Sequence, residues 1–149
     1  MCDQNQKEKM IKKYAPFFWG GALILLDQAI KWWVIKHPLF VVKNQGLILG
    51  FGPTLDLIFW SVLCLILVLA LFTIESPAKY IYSLIPMLAG SFSNLVDRIF
   101  RDGVIDYLKL PFFNLAFNLA DLFLICGVIT YAYQVFRNKQ RRGDSSTRL

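Results

Sequence analysis

The sequence predicts an all-α integral membrane protein with four transmembrane helices and a small extended or β cradle on the outer side, on three observations. Of its 149 residues 56% are hydrophobic and only 17% charged, too apolar for an ordinary soluble domain and too long for a single-span anchor. The apolar residues fall into four runs separated by turn signals. The lysines and arginines crowd the chain ends, as they do where charge orients a protein in a bilayer. One membrane domain over residues 1–149, without internal repeats or a low-complexity linker, is the expected organisation.

The first span is expected at about 14–35; Asp27, Gln28 and Lys31 interrupt its second half, and it lacks a small-residue cleavage site. The second, about 57–74, carries no charge and is long enough to cross roughly 27 Å at the helical rise. After the Glu75-Ser76-Pro77-Ala78-Lys79 turn, a third span at about 80–97 contains Pro86 and Gly90 and closes on Asn94, Asp97 and Arg98. The fourth, about 118–136, opens on Asn118 with Asp121 in its first turn and runs into a basic tail. The Lys43-Asn44-Gln45-Gly46 turn signal and the alternation from Gly103 to Leu110 predict short extended segments within 36–56 and 98–117.

An even number of spans puts both termini on one side. Ten lysines and arginines fall in the termini and the 75–79 turn, against five in the other two loops, so both termini are expected to be cytoplasmic. The aromatic residues, 13 Phe, 6 Tyr and 4 Trp, sit in or beside apolar runs, which suits a bilayer and its interfaces better than stacking on nucleic acid. Cys2 lies in the basic leader and Cys64 and Cys126 inside apolar runs, so neither a disulfide framework nor a metal site is expected. With His37 the sole histidine, a zinc site and a Ser-His-Asp triad are both poorly supported.

Charge inside a span costs a few kcal/mol even on insertion scales, so its position carries information. Asp27 lies about 12 Å from the outer end of its span, Asp97 closes the third and Asp121 opens the fourth, all in the outer half. Asp27 and Lys31 are i and i+4; Asn94, Asp97 and Arg98 are i, i+3 and i+4; Asn118 and Asp121 are i and i+3. Each group shares a helix face that must turn from lipid, so three spans direct carboxylates, amides and two cations at one volume, where Asp106 of the outer loop joins them. Plainer roles exist for each: a buried Asp27–Lys31 ion pair, an Arg98 that pairs with Asp97 or binds a phospholipid phosphate, an Asn118 helix cap. Two carboxylates that approach closely share one proton, which supplies an acid and a base together. Asp106 and Asp121 are the expected pair.

At these residues the chain resembles lipoprotein signal peptidase, also called signal peptidase II, over nearly its whole length. Asp27-Gln28 with Lys31, Asn44-Gln45-Gly46 and Asn94-Leu95-Val96-Asp97-Arg98 are similar to three of that family's motifs. Gly103-Val104-Ile105-Asp106-Tyr107 and Phe117-Asn118-Leu119-Ala120-Asp121 resemble the segments that carry its catalytic aspartates. The resemblance implies an aspartic endopeptidase of the bacterial cytoplasmic membrane that cleaves prolipoproteins before a diacylglyceryl-modified cysteine near the outer face. It implies Asp106 and Asp121 as the dyad and Asp27, Lys31, Asn44, Gly46, Asn94, Asp97, Arg98 and Asn118 as support for site or substrate. It implies membrane phospholipid as surroundings, and no metal, organic cofactor, nucleic acid or obligate protein partner.

Three positions depart from the family pattern: Leu47-Ile48-Leu49-Gly50-Phe51 replaces a small-and-aromatic run, Ser93 stands where glycine usually precedes the asparagine, and Asp102-Gly103 displaces a glycine by one. The rival readings are a small proton-coupled transporter, which should instead place its carboxylates near the midplane, and a family member that binds lipopeptides without cleaving them.

Overall fold

The computed structural model describes residues 2–37, 41–44, 53–73, 77–110 and 115–146. It is mostly helical: α1 (Cys2–Lys36), α2 (Pro53–Thr73), α3 (Pro77–Arg101) and α4 (Leu119–Ser146). The helices coincide with the four apolar runs but overshoot most of their ends. Helical hydrogen bonding does not stop where hydropathy does: the Gln- and Lys-rich leader of α1 consists of good helix formers, and α2 begins with Pro53 at the position where a missing N–H costs nothing. One stretch of the described residues, Leu119–Arg141, is by itself long and apolar enough to cross a membrane, while the apolar part of α2, Ile58–Ala70, is shorter.

Between the helices lie two antiparallel two-stranded ribbons. β1 (Val42–Asn44) pairs with β2 (Val104–Asp106), setting Val42 opposite Asp106, and β3 (Leu108–Leu110) pairs with β4 (Leu115–Phe117). Tyr107 joins the ribbons and donates its N–H to Phe117 O at 3.2 Å. β2 and β3 thus stand where the alternation from Gly103 to Leu110 places extended chain, while β4 lies beyond it. Lys43 and Asn44 belong to strand β1 rather than to a turn, while Gln45, Gly46 and the Leu47–Phe51 run lie outside the described residues. The turn from α3 into β2 is made by Asp102, whose φ of 54° is left-handed, a conformation that aspartate tolerates better than most side chains. The displaced glycine, Gly103, follows one residue later.

Helix α3 packs against each of the other three. Its approach to α4 is close because two glycines remove side chains from the seam. A Cβ on Gly90 would stand 2.3 Å from Ala120 O, and one on Gly127 would stand 2.7 Å from Ser83 O. That contact lays the first turn of α4 against the last turns of α3.

The interior is inverted relative to a soluble protein. The largest fully buried side chains are Lys31, Asn94, Asn118, Asp27, Asp97 and three serines, whereas Phe18, Leu25 and Phe100 are more than 70% exposed. In water this arrangement would leave large apolar surfaces unpaid by any core; in hydrocarbon it is the expected one, because polar groups there must find partners inside the protein.

Candidate active site

Apart from Ser83 and Ser91, whose hydroxyls bond within α3 or to Gln134, the buried polar side chains form one connected network at the end of the helix bundle that carries the ribbons. Its hub is Lys31 on α1. The Lys31 ammonium donates to Asp27 Oδ2 one turn back (2.7 Å), to Asp97 Oδ2 on α3 (2.7 Å) and to Asn94 Oδ1 (2.9 Å), so its three protons meet three acceptors. Asp97 also takes the Arg101 guanidinium, four residues on along α3, and the Gln28 amide. It accepts the N–H of Ile105 at 3.3 Å, which ties the end of α3 to β2 and fixes the residue next to Asp106.

Asp27 works across helices. It accepts Ser93 Oγ of α3 at 2.6 Å, the Tyr107 hydroxyl at 3.4 Å and the main-chain N–H of Ala120 at 3.2 Å. That last contact belongs to a complete cap on α4. Asn118 Oδ1 accepts the N–H of Asp121 (3.1 Å) while Asp121 Oδ2 accepts the N–H of Asn118 (3.0 Å), a reciprocal capping box with aspartate in the place of glutamate. The Leu119 N–H goes to the Tyr107 hydroxyl at 3.1 Å and that of Leu122 to Asn118 O at 3.4 Å. Every N–H of the first turn therefore has a partner.

Asp106 and Asp121 differ from the other two aspartates in who supports them. Asp106, 3% exposed, accepts Asn118 Nδ2 at 2.8 Å and Asn44 Nδ2 at 3.1 Å. Asp121 accepts Asn94 Nδ2 at 2.8 Å and the Asn118 main chain. Asn118 also donates to Asn94 Oδ1 at 3.2 Å, so two asparagines bridge the carboxylates. The cations of the network, Lys31 and Arg101, are held by Asp27 and Asp97, while the described bonds to Asp106 and Asp121 come from amides. Burial pushes the Asp106 carboxyl up to about 6, helped by the charge of Asp121 and opposed by the Asn44 and Asn118 amides and by Lys31. Burial also raises the Tyr107 phenol, which stays protonated as a donor to Asp27.

Two half-buried or buried carboxylates on neutral donors, each bonded to the same asparagine, are equipped to share a proton and so to take one from water while giving one to a carbonyl. Among the described residues no group of three or more His, Cys, Asp and Glu side chains is placed to hold a metal ion.

The family model described as signal peptidase (SPase) II matches residues 20–137. The chain belongs to the signal peptidase II family. The lipoprotein signal peptidase of Bartonella henselae is 30% identical over 148 residues, covering 80% of this chain and 88% of that protein. That of Syntrophomonas wolfei is 32% identical over 143 residues, covering 83% and 95%. A solved structure described as a bacterial membrane enzyme superposes with a TM-score of 0.73 at 20% identity, over 85% of this chain and 90% of that one, and shares its fold. By that family membership this chain is an aspartic-type signal peptidase II.

In this peptidase the expected site residues Asp27, Lys31, Asn44, Asn94, Asp97, Asp106, Asn118 and Asp121 meet in the one network. Arg98 sits at its edge, over the Trp60 ring at 5.0 Å and 3.4 Å from Asn94 O. Gly46 lies outside the described residues. Four contributors are not among those expected: Gln28, Ser93, Arg101 and Tyr107. Ser93 explains its own departure from glycine, because its hydroxyl donates to Asp27 and accepts from Gln28 Nε2 at 2.9 Å. Arg101 is i+4 from Asp97, a spacing readable in the sequence once α3 is taken one turn past Asp97.

Proposed function

We propose that this signal peptidase II cleaves the peptide bond before the diacylglyceryl-modified cysteine of a bacterial prolipoprotein, with Asp106 and Asp121 as the acid–base pair. The supporting observation is the division of labour among four aspartates: two hold the cations, and two are left on amides with Asn118 between them. The ionised carboxylate takes a proton from water as the water oxygen bonds to the scissile carbonyl carbon. The protonated one gives its proton to the carbonyl oxygen, forming a neutral diol. The first carboxyl then protonates the amide nitrogen while the second recovers a proton from the diol. The C–N bond breaks, and the pair returns to its singly protonated state.

Residues 1–149 act as one membrane peptidase domain. Four spans, at about 14–35, 57–74, 80–97 and 118–136, cross the bacterial cytoplasmic membrane with both termini inside, and the dyad lies near the outer face. Asp27, Lys31, Asn94, Asp97 and Asn118 position the pair, Asn44 and Arg98 border the substrate's path, and Gly46 is assigned a supporting role by its motif alone. The substrate's lipid lies among membrane phospholipids between helices. The test is cleavage of a diacylglyceryl-modified peptide by purified protein. Asp106→Asn and Asp121→Asn should each abolish it while the protein elutes and melts as a folded species, and normal turnover by either folded variant overturns the dyad.

A further inference from the structure

At the opposite end of α3 and α4 from the dyad, a crevice of about 260 Å³ is lined by Lys79, Tyr133, Gln134, Arg137, Asn138 and Arg141. Three of these six are cations and none is an acid. Arg137 and Arg141 stand one helical turn apart on α4, and no ion pair among the described residues involves either of them or Lys79. The polar wall between them is held in place. Ser83, fully buried, gives its one proton to the Tyr80 carbonyl at 2.7 Å and holds the Gln134 amide at 3.0 Å, so that amide is fixed in the wall with at least one N–H left for the crevice. Asn138 donates to the Tyr80 hydroxyl at 3.2 Å, and the Tyr80 ring leans on Tyr131 with centroids 5.3 Å apart. The crevice therefore presents donors and positive charge on a fixed scaffold, the chemistry of an anion site.

We infer that this crevice binds the phosphate of an anionic phospholipid in the inner leaflet. The inference rests on the reading that α3 and α4 cross the bilayer. Arg137 lies sixteen residues, or roughly 24 Å of helix, beyond Asp121, which sets the crevice at the far interface. Tyr133 lines it, with Tyr80 and Tyr131 behind Asn138, as tyrosines do at a membrane interface, and Val135 and Phe136 beside Arg137 are exposed for acyl chains. The volume is just below the roughly 300 Å³ at which drug-sized pockets begin, so it suits a small headgroup. The signal peptide's own leader is the other molecule at this interface, and its positive charge is repelled here.

The test equilibrates full-length protein in neutral detergent with equal amounts of phosphatidylglycerol and phosphatidylcholine and counts retained lipids by native mass spectrometry. Wild type should keep phosphatidylglycerol about tenfold over phosphatidylcholine, and the triple variant Lys79→Gln/Arg137→Gln/Arg141→Gln should fall to near parity, in keeping with a severalfold effect per cation. Gln134→Leu keeps every charge, and hence the topology, and should still lower the preference about threefold. Peptide cleavage by the triple variant in detergent should match wild type; that arm reports on the peptidase reading separately. No preference in wild type, a preference the triple variant retains, or full displacement by inorganic phosphate at matched ionic strength, which marks a soluble-anion site, each overturns the inference.

Discussion

Asn118 carries two separable duties, and replacing it with serine or alanine separates them. Its Oδ1 caps α4, and its Nδ2 bridges Asp106 and Asn94. Serine keeps an acceptor for the Asp121 N–H but is too short for the bridge, so Asn118→Ser should keep the helix cap and lose a hydrogen bond to a charged group. That bond is worth about 1.5–3 kcal/mol, or roughly a 10- to 100-fold drop in kcat/KM. Asn118→Ala loses the cap as well, at about 1 kcal/mol or roughly 2–4 °C in Tm. The pH profile supplies the sharper readout. The amide favours ionised Asp106, so its loss raises that carboxyl further above about 6, and the acidic limb of kcat/KM moves to higher pH. Cleavage of a diacylglyceryl-modified fluorogenic peptide from pH 4 to 9, beside thermal melts in the same detergent, measures both. A serine variant with wild-type kcat/KM and an unmoved acidic limb refutes the bridging role, and equal melting of serine and alanine variants refutes the cap.

Three further outcomes are expected. Lys31→Met leaves buried Asp27 without a cation and Asp97 with Arg101 alone, and should cost about 3–5 kcal/mol of stability in thermal melts; a wild-type melt contradicts the hub. Gly90→Ala drives a Cβ to 2.3 Å from a main-chain oxygen of α4, and should cost about 1–3 kcal/mol and lower cleavage as the first turn of α4 is displaced. Because Asp106 is raised from 3.8 to about 6 on folding, the folded state binds its proton more readily, so stability should increase as the pH falls from 7 through 6 toward 4. Asp106→Asn should flatten that rise, of order 1–3 kcal/mol, in melts across pH.

Local spacing made half of the site legible. Asp27 with Lys31, Asn94 with Asp97, and Asn118 with Asp121 share helix faces by sequence separation alone, and the cost of charge in hydrocarbon turns those faces inward. What spacing could not give is which group each face meets. The bond from Ala120 N–H to Asp27 joins residues 93 apart, and Tyr107 reaches Asp27 across 80, so neither leaves a local pattern. Ending the third span at about Asp97 also hid Arg101. The helix continues to Arg101 because backbone hydrogen bonding, not hydropathy, sets its end, and the i+4 partner of Asp97 lies in that extra turn.

The complete cap on α4 limits how the chemistry can proceed. A helix N-terminus beside a reacting carbonyl is an obvious place to park negative charge, since its free N–H groups can receive an oxyanion. Here Tyr107, Asp27 and Asn118 have already taken them. The carbonyl oxygen of a substrate beside Asp121 finds no vacant main-chain donor in that turn, so it must be neutralised by a proton as the water adds. On the proposed mechanism, a peptidase built this way has no use for a strong nucleophile and depends instead on the Asp106–Asp121 pair arriving with one proton already in hand.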